Sequence, residues 1–247
     1  MTKRFAKLII ASLLALVAGS AVAAGAGAKL EASHVNIDDR ASLQRGAALF
    51  MNYCAGCHSL GYQRLARMAE DIGVSEAQAM ANLNFVGVGY GDLIGTAMTA
   101  GDGEAWFGKA PPDLSLVARR KPGGPDWTYT FLKSFYVDES RPLGWNNRLL
   151  ANASMPNVLW ELQGSARPIY AGEGARVIIE RLETVSPGAL DAEAFDRVVR
   201  DITTFLTYVG EPAALKRERM GVWVLLFLVG FTFLAWLLKQ EYWRDVH

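Results

Sequence analysis

The chain has 247 residues, 51% of them hydrophobic and 20% charged, and its 25 Lys and Arg balance its 25 Asp and Glu. That composition excludes a disordered chain and a basic nucleic-acid-binding surface, so nucleic acid is not an expected partner. The apolar residues concentrate at the two ends, where export and membrane signals are to be sought.

In chain order, Lys3, Arg4 and Lys7 precede an apolar run from Leu8 to Val17 and the small-residue stretch AGSAVAAGAGA. This is the layout of a secretory signal, with Ala21-Val22-Ala23 as an A-x-A cleavage site. Residues 1–23 are expected to be removed, and residues 24–215 to form an exported domain in an oxidising compartment. Asp39 reads as the cap of a helix in which Leu43, Ala47, Phe50 and Cys54 share one stripe. That helix delivers CAGCH, which contains both cysteines of the chain. His58 directly after Cys57 completes C-x-x-C-H, the attachment signature of a c-type haem. Two thiols add across two vinyl groups on one porphyrin edge while the adjacent imidazole reaches the iron, and a single tight turn suits all three. A redox disulfide would call for a βαβ context, and a zinc site for four ligands; the sequence offers neither.

Ser75 and Gln78 form a capping box for a short helix to about Leu83. A further helix is expected from about Pro125 to Tyr136, with Trp127, Phe131 and Phe135 at a spacing of four. The connections VGVGYGDLIGTA and GKAPPDLS are rich in glycine and proline, and the glycines do not spell a nucleotide-binding G-x-G-x-x-G. Asp191 caps a long helix to Val209, with Leu190 stapled on Phe195 and one apolar face through Val199, Ile202, Phe205 and Leu206. Gly210 and Pro212 end it. Met220 to Leu238 is an uncharged run of 19 residues, which spans about 28 Å as a helix and so crosses a bilayer. Tyr242 and Trp243 follow at the interface. Lys216, Arg217 and Arg219 before the span outnumber Lys239 and Arg244 after it, yet long translocated domains override that bias. Residues 216–247 are therefore expected to be a single-pass anchor in the inner membrane with a short cytoplasmic tail, the haem domain lying in the periplasm.

A haem iron has a second axial position. Besides His58 the chain has only His34 and His247, one near the mature N-terminus and the other at the last residue, across the membrane. Methionine is the expected alternative. Met155 lies in ASMPN, where Pro156 biases it towards extended backbone, and stands against Met98 and Met80 as the candidate.

Taken in order, MNYCAGCHSL, WFGKAPPDLSLVARR, DWTYTFLKSFY, SMPNVLWELQG and the C-terminal span resemble the cytochrome c1 family of proteobacterial cytochrome bc1 complexes over nearly the whole mature chain. The resemblance implies a mainly α architecture: a class I cytochrome c-like haem domain with an enlarged insertion, plus one C-terminal transmembrane helix. It implies one haem c attached covalently through Cys54 and Cys57, with His58 and Met155 as axial ligands. It puts Pro111 against the haem edge and one of Arg119, Arg120 and Lys121 on a haem propionate. The implied function is electron relay from the Rieske iron–sulfur protein to a soluble cytochrome c, beside cytochrome b, with no substrate bond made or broken at this haem. A membrane-anchored shuttle feeding a terminal oxidase, or a catalytic or sensing haem with an open sixth position, remain the other classes. Residues 24–215 hold 22 acidic against 17 basic residues, a net charge of −5. The clusters Glu70, Asp71, Glu76 and Asp102, Glu104 are expected either to keep the domain soluble or to steer a basic acceptor to the haem edge.

Overall fold

The computed structural model describes residues 29–172 and 178–245; the expected signal segment and His247 lie outside them. Helices dominate, as expected. The elements in order are α1 (Arg40–Tyr53), β1 (Leu60–Arg64), α2 (Leu65–Ile72), α3 (Glu76–Asn82), β2 (Leu93–Ile94), α4 (Ala100–Phe107), α5 (Val117–Arg120) and α6 (Gly124–Lys133). Then follow β3 (Phe135–Val137), β4 (Trp145–Asn147), α7 (Trp160–Gln163), β5 (Gly164–Ala171), β6 (Ile178–Pro187), α8 (Ala192–Gly210) and α9 (Ala214–Tyr242). The strands form three antiparallel pairs, β1–β2, β3–β4 and β5–β6.

The caps read from the sequence are in place. Asp39 accepts from the Ser42 amide and Asp191 from the Ala194 amide, while Ser75 and Gln78 close a capping box. The apolar faces of α1 and α8 then pack on each other, with the Phe50 and Phe205 ring centroids 5.6 Å apart. Gly46 makes the crossing possible: a Cβ there would lie 2.1 Å from the Asp201 carbonyl oxygen and 2.7 Å from Phe205 Cβ. A polar clamp fixes the same crossing. Buried Asp201 accepts from Ser42 Oγ at 2.6 Å and from the Arg45 guanidinium at 2.6 and 3.0 Å, so its charge is paired and its oxygens are bonded.

The first described residues form a strap across α6 and α8. The Glu31 amide donates to Thr130 Oγ1 at 2.8 Å, and the Ser33 amide and hydroxyl both donate to Asp126 Oδ1. Arg200 donates to the Ser33 carbonyl. Lys133 bridges Glu31 at 2.6 Å and Asp196 at 2.8 Å, and the Tyr129 hydroxyl also donates to Asp196.

Two stretches differ from the sequence-based expectation. The helix expected to reach Tyr136 stops at Lys133, and Phe135–Val137 instead pairs with Trp145–Asn147. Phe131 and Phe135 still meet edge to face at 5.1 Å, so the periodic aromatic spacing survives across a helix-to-strand change. The β5–β6 hairpin, residues 164–187, has no counterpart among the expected elements. Gly164 enters it at φ +85°, with the Ser186 carbonyl where a side chain would stand. Arg167 and Glu183 pair across its strands.

At the C-terminus, Glu211, Pro212 and Ala213 separate α8 from α9. Ala214 is buried and Leu215 packs on the core. From Met220 to Tyr242 the helix is long and apolar enough to cross a membrane, and none of that window is buried among the described residues.

Two outcomes follow. Gly46→Ala overpacks the crossing, at a cost of about 1–3 kcal/mol. The thermal midpoint should therefore fall by about 2–4 °C per kcal/mol, whereas Gly91→Ala, with nothing within 4 Å of its Cβ, should leave it in place. Equal midpoints for the two variants would contradict the close approach. The second outcome concerns acid. Burial alone would raise the Asp196 carboxyl, but the bonds from Lys133 and Tyr129 hold it below its ordinary value of 3.8. A depressed carboxylate stabilises the fold above that value and loses its contribution as pH falls through the lower, folded value. Asp196→Asn should thus flatten the fall of thermal midpoint below about pH 4; an acid limb of unchanged slope would show that the strap network carries no such charge.

Candidate functional site

C-x-x-C-H forms a single turn at the end of α1. Cys57 and His58 both donate their amides to the Cys54 carbonyl, at 3.0 and 2.9 Å. Residues 54, 57 and 58 stand at i, i+3 and i+4, the spacing that puts side chains on one face of a helical turn, and all three line one cavity. Its walls are almost wholly apolar and come from distant parts of the chain: Ile202 and Leu206 of α8, Phe131 and Leu132 of α6, Pro111 before α5, and Met155. The cavity opens to solvent and encloses about 1200 Å³, the open part included.

The electrostatics of the turn distinguish its possible chemistries. Burial, and then the nearness of Cys57, push the Cys54 thiol up to about 12, and burial also raises Cys57. Redox-active C-x-x-C pairs have the opposite tendency, a stabilised thiolate. These are neutral thiols facing an apolar hollow. His58 is buried, which lowers its pKa, and its hydrogen bond to Pro112 offsets this only in part. Nδ1 lies 2.7 Å from the Pro112 carbonyl oxygen. Because a carbonyl can only accept, Nδ1 carries the proton and donates it, leaving the Nε2 lone pair free for a metal.

The methionines separate by position. Met155 lines the cavity with His58. Met68 and Met51 fill the core, Met80 is exposed beside Asn84, and Met98 packs against the helix of Gly103 without lining the cavity. Asparagine side chains build the loop that carries Met155. Asn147 donates to the Phe131 carbonyl and accepts from the Leu149 and Leu150 amides; Asn146 accepts from the Asn152 amide; Asn157 joins Leu159 and Gln163. The sequence reading passed over these asparagines and the Pro112 carbonyl. The run NNRLLANASMPN was a signal for the first; a backbone acceptor leaves no signal of its own.

Of the three consecutive cations, Lys121 lines the cavity mouth, with its ammonium 4.3 Å from the Trp127 ring centroid. Arg119 turns to Glu211 at 3.0 Å, and neither Arg119 nor Arg120 lines the cavity. Lys109 is the other charged residue of the lining, which includes no Asp or Glu. None of the acidic-cluster residues is in the lining: Asp71 is tied to Arg67 at 2.5 Å and to the Tyr208 hydroxyl at 2.9 Å, and Asp102 donates its amide to the hydroxyl of Thr99, the cap of α4, and accepts from that hydroxyl at 2.7 Å.

The sequence pattern of the Cytochrome C1 family matches residues 100–246, which takes in Met155 and the span. The cytochrome c1 of Allochromatium vinosum is 50% identical over 98% of this chain and 99% of its own length. The chain belongs to the cytochrome c1 family. It is accordingly a haem-containing electron-transfer subunit of the bc1 complex, with one covalently attached haem c. Also similar are the ammonia monooxygenase gamma subunit of Nitrosomonas europaea, 42% identical over 95% of this chain and 97% of its own length, and the cytochrome b/c1 of Bradyrhizobium diazoefficiens, 26% identical over 85% of this chain and 34% of its own.

The side chains present suit the haem of this family. An apolar hollow matches a porphyrin face, paired neutral thiols match its two vinyl groups, the free Nε2 and the thioether of Met155 match its iron, and two lysines at the mouth match its two carboxylates. Replacing Cys57 by alanine should leave one thioether and one free vinyl group. Denaturation in alkaline pyridine should then give a reduced α band shifted to longer wavelength, with the haem still bound to the chain; an unshifted band would remove Cys57 from the attachment.

Proposed function

We propose that this chain passes single electrons from the Rieske iron–sulfur protein to a soluble cytochrome c. Its haem domain, residues 24–215, faces the periplasm, and residues 216–247 anchor it beside cytochrome b, with a short cytoplasmic tail. The observation that carries the proposal is the meeting of His58 and Met155, nearly a hundred residues apart in sequence, in the one cavity that also receives both cysteines.

Haem c, bound there through Cys54 and Cys57, supplies a one-electron couple. His58 Nε2 and the Met155 thioether would both hold the iron, which would leave no open place for a substrate or a gas, so the site suits relay rather than peroxidase or sensor chemistry. The soft thioether favours the reduced state and raises the potential towards that of a high-potential donor. Pro111 and the aromatic walls exclude water from the ring. Lys121, held over Trp127, and Lys109 would pair with the two propionates, while Arg119 and Arg120 are not among the lining residues.

Partner choice separates the bc1 reading from an independent shuttle feeding an oxidase and from an assembly of the kind named for the Nitrosomonas europaea relative. Affinity purification of the tagged full chain in mild detergent should bring down cytochrome b in a fixed ratio; recovery of the haem protein alone, or with monooxygenase subunits, would overturn it. The ligand assignment is checked by Met155→Leu. Covalent haem should remain, the reduced protein should bind carbon monoxide, and the midpoint potential should fall by more than about 59 mV, a tenfold change for a one-electron couple. A variant that kept its sulfur-to-iron charge-transfer band would remove Met155 from the iron.

A further inference from the structure

The Pro112 carbonyl that orients His58 belongs to the GKAPPDLS loop, which has no regular secondary structure of its own until α5. One side chain ties that loop down. Asp113 Oδ2 accepts from Ser59 Oγ at 2.7 Å and from the Gly61 amide at 2.6 Å, and Oδ1 accepts from the Ser115 amide at 2.8 Å. Around it, the Leu114 amide donates to the Ser59 carbonyl at 2.9 Å and the Tyr62 amide to the buried Ser115 hydroxyl at 3.1 Å. These bonds close a ring. His58 Nδ1 donates to Pro112; the next residue is Asp113; its carboxylate holds Ser59; and Ser59 follows His58 in the chain.

We propose that Asp113 is a positioning residue that sets the haem potential through His58. The inference rests on His58 being the axial ligand. By fixing the Pro112 carbonyl relative to the backbone of Ser59, Asp113 fixes the length and direction of the Nδ1–H···O bond. A well-made bond of this kind gives the imidazole more electron density and makes Nε2 a stronger donor, which favours ferric iron and lowers the potential. Geometry outweighs direct charge here, because Asp113 is exposed and water screens its field. Its three donors leave no good substitute. An asparagine has one acceptor oxygen, while the Gly61 and Ser115 amides occupy different carboxylate oxygens, so at least one amide loses its partner and the loop loosens.

The test is a redox titration of the full chain in its native membranes, with covalent haem content and the sulfur-to-iron band recorded on the same samples. Asp113→Asn should raise the midpoint potential while both spectroscopic markers persist, shifting the reduced-to-oxidised ratio at fixed poise by up to about tenfold, or about 59 mV. Ser59→Ala, which removes one donor and keeps the carboxylate, should shift it in the same direction by less. Arg167→Ala, which loosens the β5–β6 hairpin away from the loop, should leave the potential unchanged. An unchanged or lowered potential in Asp113→Asn with its spectrum intact would overturn the inference. If that variant does not accumulate, an unchanged potential in Ser59→Ala would overturn it instead. Failure of the ligand assignment looks different: the unaltered protein itself would lack a six-coordinate, low-spin spectrum.

Discussion

The close approach of α1 to α8 at Gly46 is the constraint on which the site depends. With no Cβ in the way, the α1 backbone comes within reach of the Asp201 carbonyl, and Ser42 and Arg45 converge on the Asp201 carboxylate one turn from the contact. The end of α1 is then carried to the flank of α8 that bears Ile202 and Leu206. The turn holding Cys54, Cys57 and His58 opens onto those side chains rather than onto water. Holding the helices apart by even one methyl group would tilt that turn away from the wall it shares with α6.

From there, two devices of different kinds present the two candidate ligands. His58 is buried and bonded to a backbone carbonyl, which selects one tautomer. Met155 rests on a loop with no ladder of its own, where side-chain amides do the work that backbone pairing does in a strand. Asn147 is nearly fully buried at 1% exposed, and it makes three bonds to main-chain groups. A thioether has no hydrogen bond strong enough to orient it, so its position must come from the rigidity of its surroundings. The asparagine-built loop and Pro156 supply that rigidity.

Much of this was legible in the sequence because it rests on local chemistry. Caps at Asp39, Ser75 and Asp191, the apolar faces of α1 and α8, the span, and the C-x-x-C-H spacing each follow from residue types at short intervals. What escaped depends on distant partners. The helix expected to Tyr136 ends at Lys133 because Phe135–Val137 finds a partner strand ten residues on, which no local propensity reports. The β5–β6 hairpin alternates poorly and holds Pro168, so it lacks a clean strand signature. Among Arg119, Arg120 and Lys121, chain order could not say which side chain faces inward; the competing pull of Glu211 on Arg119 and of the Trp127 ring on Lys121 does. Of the acidic clusters, Asp71 is engaged with Arg67 and Tyr208 inside the fold, and the second of these ties joins distant residues, which the sequence does not announce.

The central claim is that one imidazole and one thioether, brought from separate stretches of the haem domain, complete the iron coordination in a single apolar cavity. X-ray absorption at the iron edge of the unaltered, full-length protein tests it most directly, in both oxidation states. The account predicts a six-coordinate shell of five nitrogens and one sulfur that persists on reduction. A shell of six nitrogens, or a five-coordinate iron without sulfur, would contradict it.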